Sequence, residues 1–138
     1  MDDRALAIEI AMHFLGLPYI WGGDDPIAGF DCSGFNIEIL KSVGRLPRTG
    51  DWSARALYKL FKEKNTAYPA AGRLVFFGTT EEDIYHVEFL INDHLTIGAS
   101  GGGSKANTRE DAIKQNAYVK IRPIKGRSNI FAYIDPFI

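Results

Sequence analysis

Apolar positions recur at helical spacing in the first half of the chain and at alternating spacing in the second. Ala5, Ile8, Ala11, Met12 and Leu15 fall on one face of a helix that Asp2 or Asp3 opens and that Gly16 and Pro18 end. A second helix is predicted from about Cys32 to Val43, with Phe35, Ile39, Leu40 and Val43 as its stripe and Gly44 as its C-terminal cap. A third is predicted from about Asp51 to Lys62, with Ala56, Leu57, Leu60 and Phe61 on its apolar side. After that the period changes to two. "RLVFFG" (73–78) reads as a short buried strand, and "YHVEFLIND" (85–93) puts Val87, Phe89 and Ile91 on one face and His86, Glu88 and Leu90 on the other. "NDH" turns the chain into a partner strand, "LTIGAS" (95–100). "YVKIRPI" (118–124) and "IFAYID" (130–135) complete a sheet of about five strands, and "TREDAIKQ" from Thr108 is a short capped helix between them. Helices first and antiparallel strands second predict an α+β fold.

The 138 residues suffice for one domain, 1–138, with its own core, and no internal repeat or linker divides them. At 46% hydrophobic and 24% charged, the composition is that of a folded globular chain. A net charge of −1 offers no basic excess for nucleic acid and no charged block for a membrane surface or interaction tail. No stretch approaches the length of a membrane span, so no membrane insertion is expected. The acidic start, with Arg4, Glu9 and His13, lacks the pattern of a secretory signal. A single cysteine excludes an internal disulfide.

That cysteine, Cys32, lies in "YIWGGDDPIAGFDCSGF" (19–35). A lone cysteine is ordinarily a small buried hydrophobe. Here Asp31 is a good N-cap, which puts Cys32 in the first turn of a helix, where the dipole and free backbone N–H groups favour a thiolate and can hold an oxyanion. Gly22, Gly23 and Gly29 let the preceding loop approach the helix closely. A thiolate needs a base. His13 lies within the first helix and His94 in a turn, whereas His86 starts a strand in the second half. A helix-start cysteine followed by a strand histidine is the arrangement of a thiol hydrolase or acyl transferase.

In order and spacing, "PYIWGG…GFDCSGF", "GRLVFFG" and "HVEFLIND…IGAS" resemble the NlpC-type cell-wall endopeptidases, papain-like cysteine peptidases. The likeness runs from about Leu6 to the end, with "LPRTG" (46–50) matching the segment that borders the family's substrate groove. The resemblance implies a papain-like domain whose helices carry the cysteine against a sheet carrying the histidine. It implies Cys32 as nucleophile, His86 as base and then acid, Tyr19 as an oxyanion donor and Ser33 beside the substrate. The implied substrate is an amide bond in peptidoglycan stem peptides, commonly after a γ-linked D-glutamate, with no metal or cofactor. Two further readings stay open: a catalytically silent wall-binding or virion structural module on the same fold, and a thiol amidase or acyltransferase.

The pattern departs from the family at two places. Where the family usually has a polar residue, most often histidine, on the strand after the histidine strand, this chain has Gly98; where the family has a small residue two positions after the histidine, it has Glu88. Glu88 shares a strand face with His86, and Gly98 on the neighbouring strand leaves room for a carboxylate, so the two departures read as one exchange. A solvated rim position is the alternative for Glu88, with a backbone carbonyl or a bound water then orienting His86. Asp31, Arg48 and Asp51 are candidate groove residues, with helix capping the alternative for Arg48 and Asp51. Asp24 and Asp25 are a candidate contact for a cationic group or a solvated turn, Trp21 and Trp52 line a groove or fill the core, with the core the default, and "GGGSK" (101–105) is a loop or flap. Without a secretory signal or wall-binding repeat, the expected setting is the cytoplasm or a phage virion with release by a holin-type route.

Overall fold

The computed structural model describes residues 2–25, 29–101 and 105–138, and the side chains of Asp24 and Asp25 lie outside the description, as do residues 102–104 of the candidate flap. Helix α1 spans Asp3–His13, capped by the Asp2 carboxylate. Two-residue strands β1 (Asp24–Asp25) and β2 (Gly29–Phe30) pair antiparallel just before α2 (Cys32–Ser42). Helix α3 is Ala54–Phe61. The sheet comprises β3 (Asn65–Thr66), β4 (Leu74–Phe77), β5 (His86–Leu90), β6 (Leu95–Ser100), β7 (Tyr118–Pro123) and β8 (Ile130–Ile134), with α4 (Arg109–Lys114) before β7. Its spatial order is β3-β8-β4-β5-β6-β7, antiparallel throughout. The layout is the α+β one expected, with six strands where about five were predicted. The extra strand is an edge pair, Asn65 opposite Ile134 and Thr66 opposite Tyr133, too short to show alternation.

The central helix is α2. Ser33, Gly34, Phe35, Asn36, Ile37, Ile39 and Leu40 are all buried, a wider face than the predicted stripe, because helices and sheet enclose it. Phe14, Phe30 and Phe35 form an aromatic cluster beneath its first turn, with ring centroids 5.2–6.3 Å apart. Asn36 is fully buried and its Nδ2 donates to the Cys32 carbonyl (2.8 Å) and the Val87 carbonyl (3.3 Å), tying the start of α2 to β5.

Two helical faces differ from expectation. α1 packs through Ala7 and Ala11, with Ile8, Ile10 and Phe14 half-buried, while Ala5, Met12 and Leu15 are exposed; small residues let the helix lie close on the core. α3 buries Ala54, Leu57, Tyr58 and Phe61 and leaves Leu60 exposed, because Tyr58 packs edge-on against Phe76 and Phe131. Its N-cap is Ser53, whose Oγ accepts from Ala56 N–H, so neither Arg48 nor Asp51 caps it. Among the described residues no helix is long and apolar enough to cross a membrane.

One glycine holds the loop before Cys32 against α2. A Cβ on Gly34 would run into the Gly23 carbonyl oxygen and come within 2.8 Å of Asp31 Oδ1. Gly34→Ala is expected to cost about 1–3 kcal/mol, the usual range for overpacking. Urea unfolding of the two proteins measures it.

Candidate active site

Asp31 opens α2 in an extended conformation, and its Oδ1 accepts from Gly34 N–H (2.6 Å) and Ser33 Oγ (3.3 Å). Burial raises the Asp31 pKa, and these hydrogen bonds oppose the rise. The next residue is Cys32, half-buried at the helix start. Of the backbone N–H groups in the first turn, Gly34's goes to the Asp31 carboxylate and Phe35's to the Asp31 carbonyl. Among the described residues, those of Cys32 and Ser33 remain for a negative oxygen.

His86 begins β5 opposite Phe77 of β4, against whose ring it packs at 5.4 Å. Its Nε2 lies 2.6 Å from Glu88 Oε2, which leaves Nδ1 free to face Cys32, its neighbour in the groove lining. Burial alone would lower the His86 pKa, but the Cys32 sulfur and the Glu88 carboxylate outweigh it and push the ring up to about 9. An imidazolium donates from both nitrogens, which is what these two partners accept.

Glu88 is 1% exposed, so it does not sit at a solvated rim. Thr96 Oγ1 donates to Oε1 (2.6 Å), and Arg127 donates to both oxygens (3.1 and 3.0 Å). Burial would raise the Glu88 pKa, but His86, Arg127 and Thr96 hold it well below the usual carboxylate range. The room for Glu88 comes from Gly98: a Cβ there would lie 2.8 Å from Glu88 Cγ. Gly98 carries no positive φ, so its value at this position is space rather than backbone freedom.

Tyr19 is buried beside the start of α2, through a bridge to Phe30 and an N–H bond to Ala117. Burial, then the nearby Cys32 and Asp31 charges, raise its hydroxyl pKa, which keeps it a proton donor. Tyr19, Trp21 and Cys32 line a groove that extends two ways. One arm, about 500 Å³, carries Asp31, Ser33, Asp51, Trp52 and Arg55; the other, about 320 Å³, carries His86, Ser100 and Arg122.

A sequence model of the NlpC/P60 family matches residues 16–123. The chain belongs to the NlpC/P60 family. It is 35% identical over 128 residues to the bifunctional muramidase/DL-endopeptidase CwlT of Bacillus subtilis, covering 91% of this chain and 38% of that protein. It is 40% identical over 89 residues to the gamma-D-glutamyl-L-lysine dipeptidyl-peptidase of Bacillus cereus, covering 62% of this chain and 25% of that protein. The chain thus spans well under half the length of these relatives. Its fold matches the NlpC/p60 domain of the peptidoglycan hydrolase SagA with a TM-score of 0.67 at 26% identity, over 96% of this chain and 97% of the other.

This NlpC/P60 domain brings Cys32, His86, Glu88, Tyr19, Ser33, Asp31 and Asp51 to one groove or its support. Arg48 is exposed and lines neither arm. Of the two places weighed for Trp21, groove and core, the structure gives the groove: the side chain is 54% exposed on its wall, and the backbone N–H donates to the Ala106 carbonyl. Trp52 is half-buried and shared between groove and core. His13 and His94 are exposed. Arg127 went unpredicted: it lies in the polar stretch "KGRSN" (125–129), which reads as solvent loop, and it is anchored by stacking its guanidinium 4.6 Å over Phe77.

Proposed function

We propose that this domain is a cysteine peptidase that hydrolyses amide bonds in peptidoglycan stem peptides, of the γ-D-glutamyl–diamino-acid type. The observation that carries the reading is His86, which lines one groove arm with Cys32 while its Nε2 lies 2.6 Å from the buried Glu88 carboxylate behind it. The family membership and the named activities of the relatives support the substrate class.

The Cys32 thiolate attacks the scissile carbonyl. The backbone N–H groups of Cys32 and Ser33 and the Tyr19 hydroxyl receive the negative oxygen. His86 Nδ1–H gives its proton to the departing amine, leaving a thioester on Cys32. Water then attacks that thioester, His86 takes its proton, and the acid leaves as Cys32 is restored. Glu88 is a positioning residue: it fixes the ring and supports its charge through both steps.

Purified protein incubated with γ-D-glutamyl-L-lysine stem peptides is expected to release the amine product, and intact-mass spectra of quenched mixtures are expected to show the acyl group on Cys32. Binding of the peptides without cleavage would overturn the reading in favour of a silent module.

A further inference from the structure

We infer that Arg122 binds a carboxylate on the leaving residue, so that the His86 arm of the groove is built for a peptide acid rather than its amide. The inference rests on the hydrolase reading above. The departing amine takes its proton from His86, so the leaving residue lies in the arm that His86 lines, away from the arm with Asp31 and Asp51.

Two side chains of that arm, Arg122 and Ser100, make no hydrogen bond of their own among the described residues. Arg122, on β7, has a side chain 42% exposed, and its one ion pair is a 3.9 Å approach to Glu88 Oε2. That oxygen already holds His86 and Arg127. Among the described residues the Arg122 guanidinium donates no hydrogen bond. Its charge is also felt two residues away: after burial, Arg122 is the cause that lowers the pKa of Lys120. A second observation is independent. Ser100 lines the same arm, and among the described residues its buried hydroxyl has no hydrogen-bond partner. Ser100 is 5% exposed, and a buried hydroxyl without a partner is costly unless a ligand or water supplies one. A guanidinium with free N–H groups fits a carboxylate, which accepts from it and carries the opposite charge, and fits a carboxamide less well, since it brings no charge.

Two matched substrate pairs test this. One is γ-D-glutamyl-L-lysine against its α-carboxamide, and the other is γ-D-glutamyl-meso-diaminopimelate against its side-chain carboxamide. In the wild type, kcat/KM is expected to favour the acid roughly tenfold in at least one pair, as one charge-assisted contact would give. The pair that shows the preference identifies which carboxylate is read. In Arg122→Gln the acid-to-amide ratio is expected to fall to about one, and because the ratio is taken within one protein it is insensitive to losses of folding or overall rate. A wild-type ratio near one in both pairs, or a preference that survives in Arg122→Gln, overturns the inference while leaving the hydrolase reading intact. If the wild type cleaves none of the four peptides, both fall together.

Discussion

Glu88→Gln is expected to lower kcat/KM by roughly 10²–10⁴-fold, the upper end being the loss seen when the orienting carboxylate of a serine triad becomes an amide. The His86 ring now has Nε2 2.6 Å from a carboxylate oxygen. Glutamine has nearly the same shape but a neutral head, so the imidazolium loses its counter-charge and the ring loses its preferred protonation. Glutamine is also the variant that separates rate from stability. Glu88→Ala would strand Arg127, whose side chain is 13% exposed, beside no negative group, at a cost of about 3–5 kcal/mol. The pH dependence of stability follows from the same pair. The His86 pKa is raised from 6.5 to about 9, so its contribution is complete below about pH 6.5 and is lost as pH rises through about 9. The Glu88 pKa is lowered from 4.5, so its contribution is present above that value and is lost as the solution is made more acidic. The pair therefore stabilises the fold most between about pH 4.5 and 6.5. Urea midpoints of the wild type and Glu88→Gln across pH are expected to differ most in that window.

Gly98→His places the family's usual side chain back on β6 while Glu88 is still there, and its activity is expected to fall by a similar 10²–10⁴-fold. The new Cβ would begin 2.8 Å from Glu88 Cγ, so the carboxylate must leave its position beside the ring. Overpacking adds a stability loss of about 1–3 kcal/mol. The paired change Glu88→Gly with Gly98→His moves the polar partner from β5 to β6 and frees the space at once. Its kcat/KM is expected to exceed that of Gly98→His alone by about tenfold or more, a coupling that four proteins in a double-mutant cycle measure directly. Additive losses would mean that Glu88 and Gly98 are independent departures rather than one exchange.

Much of this site was legible because short-range rules govern it. An aspartate before a helical stripe placed Cys32 in a first turn, and the Asp31 carboxylate does cap it. Period-two alternation put His86 and Glu88 on one face, and the β5–β6 hairpin brought Gly98 beside them. The turn itself is closed as its composition suggests, by the Asn92 side chain accepting from His94 and Leu95 N–H groups. What could not be read depends on contacts distant in sequence. Arg127 reaches Glu88 across 39 residues, and Asn36 reaches Val87 across 51, and neither carries a local signal. The face of α1 was misread because alanine and methionine weigh alike as apolar, whereas close packing on the core selects the small residue.

The most direct test of the central claim, that Glu88 stands beside His86 as the partner of the Cys32–His86 pair, is an ¹⁵N NMR titration of the His86 ring in the wild type and in Glu88→Gln. His86 is assigned by its loss in a His86→Gln sample. The wild-type ring is expected to stay protonated at Nε2 and to titrate near pH 9, and the ring in Glu88→Gln to titrate at clearly lower pH. A wild-type ring that titrates near 6.5 and does not respond to Glu88→Gln would contradict it.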